Sequence, residues 1–155
     1  MVKRLSGDAR RLVLASAGEE ARRRGDRRIG TDHLLLGLLH NPDSGPARAL
    51  GVDLESARAA AGSLDRAALA AVGVKTENLN LPIWSAPTRR LLPLTSGARG
   101  VLKRALEEAR PRRSGRIETR DFLLALLTRE RPDPGAELLG ALGIDASVVR
   151  DRLAG

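Results

Sequence analysis

The sequence of 155 residues predicts an all-α protein, and three observations support this fold class. Apolar residues recur at helical spacing, most clearly over 98–109, where they form one continuous stripe. No segment shows the alternation of apolar and polar residues that is typical of a half-buried strand. The same order of helical segments also occurs twice along the chain, which indicates an internal duplication.

The duplication is clearest in the block 29–39, IGTDHLLLGLL, whose counterpart 117–127 reads IETRDFLLALL. The spacing is 88 residues in this block, 89 upstream and 92 downstream. These offsets place a one-residue slip in the first helix and indicate that the first copy lacks about one helical turn near its end. The flanking blocks pair in the same order: 6–10 with 95–99, and 49–53 with 141–145.

Caps and helix breakers predict the ends of these helices. Short polar side chains before an apolar run are typical N-caps, and glycine often follows the last helical turn. Pro111 is expected to stop the helix over 98–109 because proline cannot continue a helix. The predicted N-caps are Thr31 with Thr119 and Asp53 with Asp145, and the predicted C-terminal glycines are Gly51 with Gly143.

The two copies are joined by the stretch 63–93. Its first part, 64–72, is predicted to be another helix, and the rest is irregular and contains three prolines. High apolar content argues against a free linker, so we expect this stretch to pack over both halves with Trp84 as its anchor. The predicted organisation is one domain, 1–155, with repeat one over about 5–62, the connection 63–93 and repeat two over about 94–153.

The residue types argue against several kinds of function. The absence of cysteine excludes disulfides, thiol catalysis and cysteine-ligated metals. With only His33 and His40 and no tyrosine, we expect no catalytic residue, no metal site and no cofactor, and therefore no enzyme. The chain contains no Gly-x-x-x-x-Gly-Lys-Ser/Thr phosphate loop for ATP hydrolysis. No run is apolar enough for a membrane span or a secretion signal, so the expected location is cytoplasmic.

The charge is strongly positive, with 27 basic against 19 acidic residues and a net charge of +8. Two local arginine clusters occur, over 22–28 and 110–116. A positive surface attracts anions, whether nucleic acid, phosphorylated groups or an acidic protein, so nucleic-acid binding stands as the alternative function. Trp84 and Phe122 are the only aromatic residues, which makes base stacking, and with it nucleic acid, the weaker choice.

The repeated blocks resemble the Clp N-terminal domain, the double repeat at the front of the ClpA and ClpC unfoldases. In that family each repeat begins Thr-x-x-Ala-Arg, has a helix ending Glu-Glu-Ala, and continues with Ile-Gly-Thr-Glu-His-Leu-Leu-Leu-Gly-Leu-Leu and Leu-Gly-Val-Asp-Leu. The resemblance covers about 5–60 and 94–153 and implies a compact bundle of about eight helices, built from two four-helix repeats with pseudo-twofold symmetry. The first copy matches almost completely, at 6–10, 19–21, 29–39 and 50–54.

The resemblance implies a non-enzymatic binding module. Its relatives bind adaptors and substrate segments and pass them to an ATPase motor; some also bind phosphoarginine as a degradation mark, and some are targets of cyclic peptide antibiotics. The expected partners are therefore a Clp unfoldase, an adaptor, substrate segments or cyclic peptides. Delivery of substrates, competition with the motor's own domain and sequestration of an antibiotic peptide all stay open.

Phosphoarginine makes two opposite chemical demands. The phosphate needs helix N-terminal amides and a basic group, and the planar guanidinium needs a carboxylate. In copy one, Ser6 and Arg10 lie at a helix start, and Asp32 takes the place of the family's glutamate. We therefore expect at most one working phosphoarginine site, in copy one.

Copy two keeps Thr95 and Arg99 at its helix start, but Arg120 replaces the acid. A positive charge there should repel a guanidinium, and Glu118 or Asp121 would have to substitute. Simpler structural roles compete with ligand binding throughout, because short polar residues cap helices and acids stabilise helix N-termini. Of the two histidines, the one that precedes the leucine run is expected to be a buried packing residue.

Overall fold

The computed structural model describes residues 4–73 and 91–155, and every regular element within these ranges is a helix, as predicted. The first helix, α1, consists of three contiguous segments: Gly7–Arg11, the π-helical Leu12–Ser16 and Ala17–Arg23. None of the described helices is both long and apolar enough to cross a membrane. The remaining helices of these ranges are α2 Thr31–Leu38, α3 Gly45–Leu50, α4 Leu54–Ala71, α5 Ser96–Ala109, α6 Thr119–Leu126, α7 Pro134–Ala141 and α8 Ala146–Ala154.

The helices form two sets of four, α1–α4 and α5–α8, whose mutual contacts come in pairs. Within the halves, α1 packs on α2 just as α5 packs on α6. Between the halves, α2 contacts α7, and the corresponding pair in the other direction is α6 with α3. Likewise α4 contacts α7, and the corresponding pair is α8 with α3. Helices α2 and α6 meet each other at the centre. Contacts exchanged in this way are those expected of two repeats related by pseudo-twofold symmetry.

The segments that lead into the helices cross from one half to the other. Leu5 forms an isolated parallel bridge with Ile117, and Leu94 forms the matching bridge with Ile29. Backbone hydrogen bonds hold both: the N–H after Leu5 donates to the Ile117 carbonyl at 2.9 Å, and the N–H of Thr95 donates to the Ile29 carbonyl at 2.9 Å. The start of α1 therefore lies beside the start of α6, and the start of α5 lies beside the start of α2.

Both halves contribute to one core. Leu35 and Leu36 of α2 and Leu123 and Phe122 of α6 are almost completely buried. Removing side chains of this size from water stabilises a fold by about 1.5–3 kcal/mol each. The predicted apolar stripe of α5 faces the same core through Ala98, Val101, Ala105 and Ala109.

Most of the predicted caps are confirmed. Asp53 Oδ1 accepts the N–H of Ser56 at 2.7 Å, and Asp145 caps α8 in the same manner. Gly51 and Gly143 have φ angles of 69° and 67°, the left-handed conformation that favours glycine at a helix end. Helix α5 ends at Ala109, just before the predicted proline.

The predicted N-caps Thr31 and Thr119 are wrong by one residue, because each threonine is the first residue inside its helix. The caps are Gly30 and Glu118, whose backbone N–H groups donate to a side chain three residues later. This hydrogen bond from the cap N–H to a side chain of the first turn sets the helix start and leaves the threonine hydroxyl free for another contact. The acceptors are His33 Nδ1 for Gly30, at 2.8 Å, and Asp121 Oδ2 for Glu118, at 2.7 Å.

Both predicted register slips have a structural basis. The first copy has one residue more than the second between its helix start and the Glu-Glu-Ala block. That residue is accommodated in the π-helical segment Leu12–Ser16, because a π turn holds one more residue than an α turn. The shorter α3 accounts for two of the four missing residues, since it has 6 residues where α7 has 8, and the segments that flank the helix account for the other two.

The helix predicted over 64–72 is not a separate element. It is the C-terminal part of α4, which runs without interruption for 18 residues. No proline interrupts this run, and Gly62 is tolerated within it. The proposed anchor Trp84 lies outside the described residues, so its packing stays a prediction.

Candidate functional site

A cleft of about 820 Å³ opens where the two halves meet. The starts of α2 and α5 form two of its walls, as the bridge between Ile29 and Leu94 requires. The loop after α1 and the loop before α7 complete it. Among the described residues that line this cleft, five are acidic and four are arginines, so it suits a ligand that carries charges of both signs.

Asp32 lines this cleft, and its carboxylate is held by an arginine from the end of α1. Arg24 Nη1 donates to Asp32 Oδ2 at 2.5 Å, and Nη2 donates to Asp65 Oδ2 at 2.7 Å. Burial alone would lower the pKa of Arg24, but the two carboxylates outweigh it and raise that pKa above its ordinary range. The fold itself therefore supplies a guanidinium ligand to Asp32.

His33 has a structural role, as expected from its place before the leucine run. It is 4% exposed, and its Nδ1 accepts the N–H of Gly30. The proton must then sit on Nε2, which donates to Asp26 Oδ2 at 2.8 Å. Burial alone would raise the pKa of Asp26, but this hydrogen bond and the charge of Arg24 outweigh it and lower that pKa. The imidazole is thus engaged on both nitrogens.

The opposite wall of the cleft is the N-terminus of α5. Thr95 Oγ1 caps the helix by accepting the N–H of Ala98 at 3.1 Å, and Ser96 and Gly97 lie beside it in the cleft wall. The first amides of a helix attract anions because they lack intrahelical partners. Arg129 lines the same cleft, and its Nε donates to Asp133 Oδ2 at 3.1 Å.

An apolar groove of about 290 Å³ adjoins the charged cleft. It lies between α4 and α7 and is lined by Leu64, Ala68, Pro134 and Leu138. Asp32 and its arginine partner line both cavities. A peptide could therefore place a charged side chain in one cavity and an apolar side chain in the other.

Of the residues expected to form one site in copy one, Asp32 lines the cleft, and Ser6 and Arg10 do not. The crossed bridges bring Asp32 to Thr95 of the other repeat, whereas the start of α1 lies beside α6. Ser6 acts as the N-cap of α1 and accepts the N–H of Ala9 at 3.2 Å. Arg10 is exposed on that helix.

The candidates of copy two are spread over different environments. Asp121 is completely buried, and its carboxylate binds Arg112 and the N–H of Glu118, so no face is open to a ligand. Glu118 itself is about half exposed and lies 3.9 Å from the same arginine. Arg99 is exposed and donates to the Leu94 carbonyl at 3.1 Å.

Sequence reasoning missed Arg24, although the repeat carries a signal for it. Arg112 is its counterpart at the spacing of 88 residues, and each arginine binds a carboxylate at the start of the following helix. In copy two that carboxylate is one position later, since Arg120 occupies the counterpart of Asp32. No comparable signal from the repeat points to Asp65.

A hydroxyl contact across the halves has no counterpart either. Thr31 Oγ1 donates to Asp133 Oδ1 at 2.7 Å and accepts the N–H of Gly135 at 2.8 Å. Pro46 occupies the place of Gly135 in α3 and has no N–H to donate. Thr119 instead lines a smaller cavity of about 320 Å³. The described residues contain no cluster of three or more side chains suited to hold a metal ion.

This architecture defines a class of domain: two interlocked four-helix repeats with a cleft at their junction. The sequence matches the family described as Clp repeat (R) N-terminal domain over residues 8–131. The chain belongs to this family.

Relatives and a solved structure agree with this assignment. The chain is 32% identical over 144 residues to the chloroplastic chaperone protein ClpC1 of Arabidopsis thaliana, covering 91% of this chain and 14% of the relative. It is 29% identical over 146 residues to the negative regulator of genetic competence ClpC/MecB of Bacillus subtilis, with 91% and 16% coverage. The chain thus spans about a seventh of these relatives' length.

The fold is similar to the crystal structure of the N-terminal domain of ClpD, a caseinolytic protease associated chaperone of Arabidopsis thaliana. The TM-score is 0.72, and the match covers 99% of this chain and 94% of that one. Sequence identity is 18%, so this likeness concerns the fold. It supports the two-repeat architecture derived above.

Proposed function

We propose that this chain is a non-enzymatic binding module that holds substrate or adaptor segments in the cleft between its repeats on behalf of a Clp unfoldase. One observation carries the proposal: the charge-balanced cleft is continuous with an apolar groove, and both share Asp32. A peptide presents the same mixture of charged and apolar side chains. The relatives, the chaperone protein ClpC1 and the negative regulator of genetic competence ClpC/MecB, support an unfoldase as the partner.

The proposal of a non-catalytic role rests on the two histidines, whose side chains already make hydrogen bonds within the fold. His33 is engaged on both ring nitrogens and is 4% exposed, so it is a poor general base. His40 Nε2 donates to Glu20, which also accepts from Arg58. These side chains are parts of buried networks that stabilise the fold.

Phosphoarginine is the proposed charged ligand of the cleft. Its phosphate would approach the α5 amides near Ser96 and the side chain of Arg129. Its guanidinium would bind the carboxylates of Asp32 and Asp65, taking the place of Arg24. The N-terminus of α5, in the second repeat, and the carboxylate of Asp32, in the first repeat, would thus bind the same ligand.

Calorimetric titration with a phosphoarginine peptide and its unphosphorylated twin tests this assignment. We expect Asp32→Asn to weaken binding of the phosphorylated peptide about tenfold, the loss of one charge-assisted contact. Asp43→Asn is the matched control because Asp43 is exposed in the loop before α3 and does not line the cleft. Equal affinities for the two peptides would refute the phosphoarginine assignment and leave the peptide-binding proposal to a pull-down of Clp components.

The other expectations have tests of their own. A cyclic peptide added as a competitor in the same titration tests whether the cleft binds cyclic peptides. Titration of labelled DNA at about 150 mM salt examines the nucleic-acid alternative, which absence of binding would remove. The cytoplasmic location stays a prediction that cell fractionation checks.

A further inference from the structure

The region around the start of α6 carries a cluster of arginines that have no partner among the described residues. The loop between α5 and α6, together with the first turn of α6, bears four exposed arginines, and the N-terminal segment adds a fifth. None of their side chains makes a hydrogen bond or ion pair with another described residue. We call this set the arginine surface: Arg4, Arg110, Arg113, Arg116 and Arg120.

The backbone beneath the arginine surface is held in place. Arg112 binds Asp121 at the start of α6 and donates to the Arg116 carbonyl at 2.7 Å, which closes the loop on the helix. The N–H of Ile117 donates to the Arg4 carbonyl at 2.8 Å, which brings the N-terminal arginine beside the loop. A charged surface on a fixed backbone loses less conformational entropy when it binds a partner.

The first repeat differs at the corresponding positions. There the loop contains Asp26, and Asp32 follows at the counterpart of Arg120. Both acids interact with Arg24, and Asp26 is 43% exposed, so carboxylates lie among the arginines at that surface. In the second repeat, Asp121 beneath the loop is buried and already bound to Arg112, and Glu118 is about half exposed beside the arginines. Arg120, at the counterpart of Asp32, is therefore the main difference between the two repeats at these positions.

The size and chemistry of this surface select its partner. Asp8 borders it at the start of α1, and Glu107 and Glu108 border it at the end of α5, so the positive region is short. Long polyanions would meet these acids. Guanidinium groups pair with carboxylates in a bidentate, directional manner. Phe122 is the only aromatic residue among those described and is buried, so nothing here stacks on bases.

We propose that the arginine surface binds a short acidic segment, rich in Asp and Glu, of a partner protein. This surface is separate from the cleft, and the inference goes beyond the function proposed above without resting on it. Binding should weaken as salt screens the exposed charges.

Fluorescence anisotropy of the full chain with a short labelled Asp/Glu-rich peptide tests the proposal. We expect Arg113→Glu/Arg120→Glu to weaken binding about tenfold, because two exposed charge pairs are replaced by repulsions. The matched control is Arg23→Glu/Arg66→Glu, which makes the same change in net charge at exposed sites on α1 and α4. Circular dichroism melts establish that both variants fold as the parent does.

Equal loss in the two double variants would overturn the proposal, because it would mean that net charge alone attracts the peptide. Tighter binding of a DNA oligonucleotide of equal charge at the same salt would also overturn it. Retention of phosphoarginine binding by Arg113→Glu/Arg120→Glu is expected, since the cleft is elsewhere. A failure here therefore leaves the cleft's function untouched.

Discussion

At the scale of single residues, Glu20 of α1 is the clearest case of a buried charge held by partners from other elements. It is 1% exposed and accepts hydrogen bonds from Arg58 of α4, at 2.6 Å, and from His40, at 2.9 Å. Burial alone would raise the pKa of this carboxyl. The hydrogen bonds and charges of Arg58 and His40 outweigh burial and leave the pKa below its ordinary value of 4.5.

This carboxylate predicts a loss of stability in acid. A pKa lowered by folding contributes stability that is fully present above the unfolded value and is lost as the pH falls through the folded value. The urea concentration needed for unfolding should therefore decrease as the pH falls below about 4.5. We expect Glu20→Gln to lower the free energy of unfolding at neutral pH by about 2 kcal/mol and to flatten this acid dependence.

The neighbouring Glu19→Gln is the control, because its side chain is 62% exposed. It should change the free energy of unfolding by less than about 0.5 kcal/mol. An acid dependence as steep in Glu20→Gln as in the parent chain would show that other carboxyls, such as Asp26, determine it.

At the scale of elements, the π-helical segment of α1 and Gly37 of α2 belong together. A Cβ at Gly37 would lie 2.7 Å from Leu12 Cδ1 and 3.0 Å from the Ala17 backbone nitrogen. The second repeat has Ala125 at this position, packed against a continuous α-helix. The extra residue of α1 is thus matched by a missing side chain on α2.

Gly37→Ala should therefore destabilise the protein by about 1–3 kcal/mol through overpacking against α1. Gly62→Ala within α4 is the matched substitution, because its nearest neighbour is the flexible Arg66 side chain at 3.4 Å. That variant should be stabilised by about 0.5–1 kcal/mol, as expected for alanine in a helix. Equal melting temperatures for the two variants would contradict the close approach of α1 and α2.

The helices were predicted correctly from the sequence where the evidence for them comes from neighbouring residues. The apolar stripe of α5 and the caps Asp53 and Asp145 depend on nearby residues alone. The register slip located the π segment, but its geometry could not be derived, since one inserted residue can also be placed in a loop. The cap at Gly30 was missed because its partner His33 has an acceptor role that no propensity scale records.

At the scale of the whole molecule, the site could not be assembled from the sequence because its parts come from different repeats. Asp32 and Thr95 are far apart in the chain, and the repeat pattern groups Asp32 with Ser6 of its own copy. The crossed bridges reverse this grouping. The likeness of the copies predicted the fold, but only tertiary structure shows which copy supplies each partner.

The buried hydroxyl of Thr31 joins the halves, and its removal should be felt by the whole fold. We expect Thr31→Val to lower the free energy of unfolding by about 1–2 kcal/mol, because Asp133 loses a buried hydrogen-bond donor. Thr119→Val is the control, since this threonine faces a cavity in place of a partner helix. Urea denaturation that showed equal losses for both variants would count against the contact.

The crossed bridges also bear on how such a chain could arise. The strand-like lead-in of each repeat finds its backbone partner only in the other repeat, through Leu5 with Ile117 and Leu94 with Ile29. Two separate copies of one repeat would satisfy the same hydrogen bonds by exchanging these arms in a symmetric dimer. The present chain has the geometry of such an arm-exchanged dimer fused end to end, in which each half has since been able to diverge.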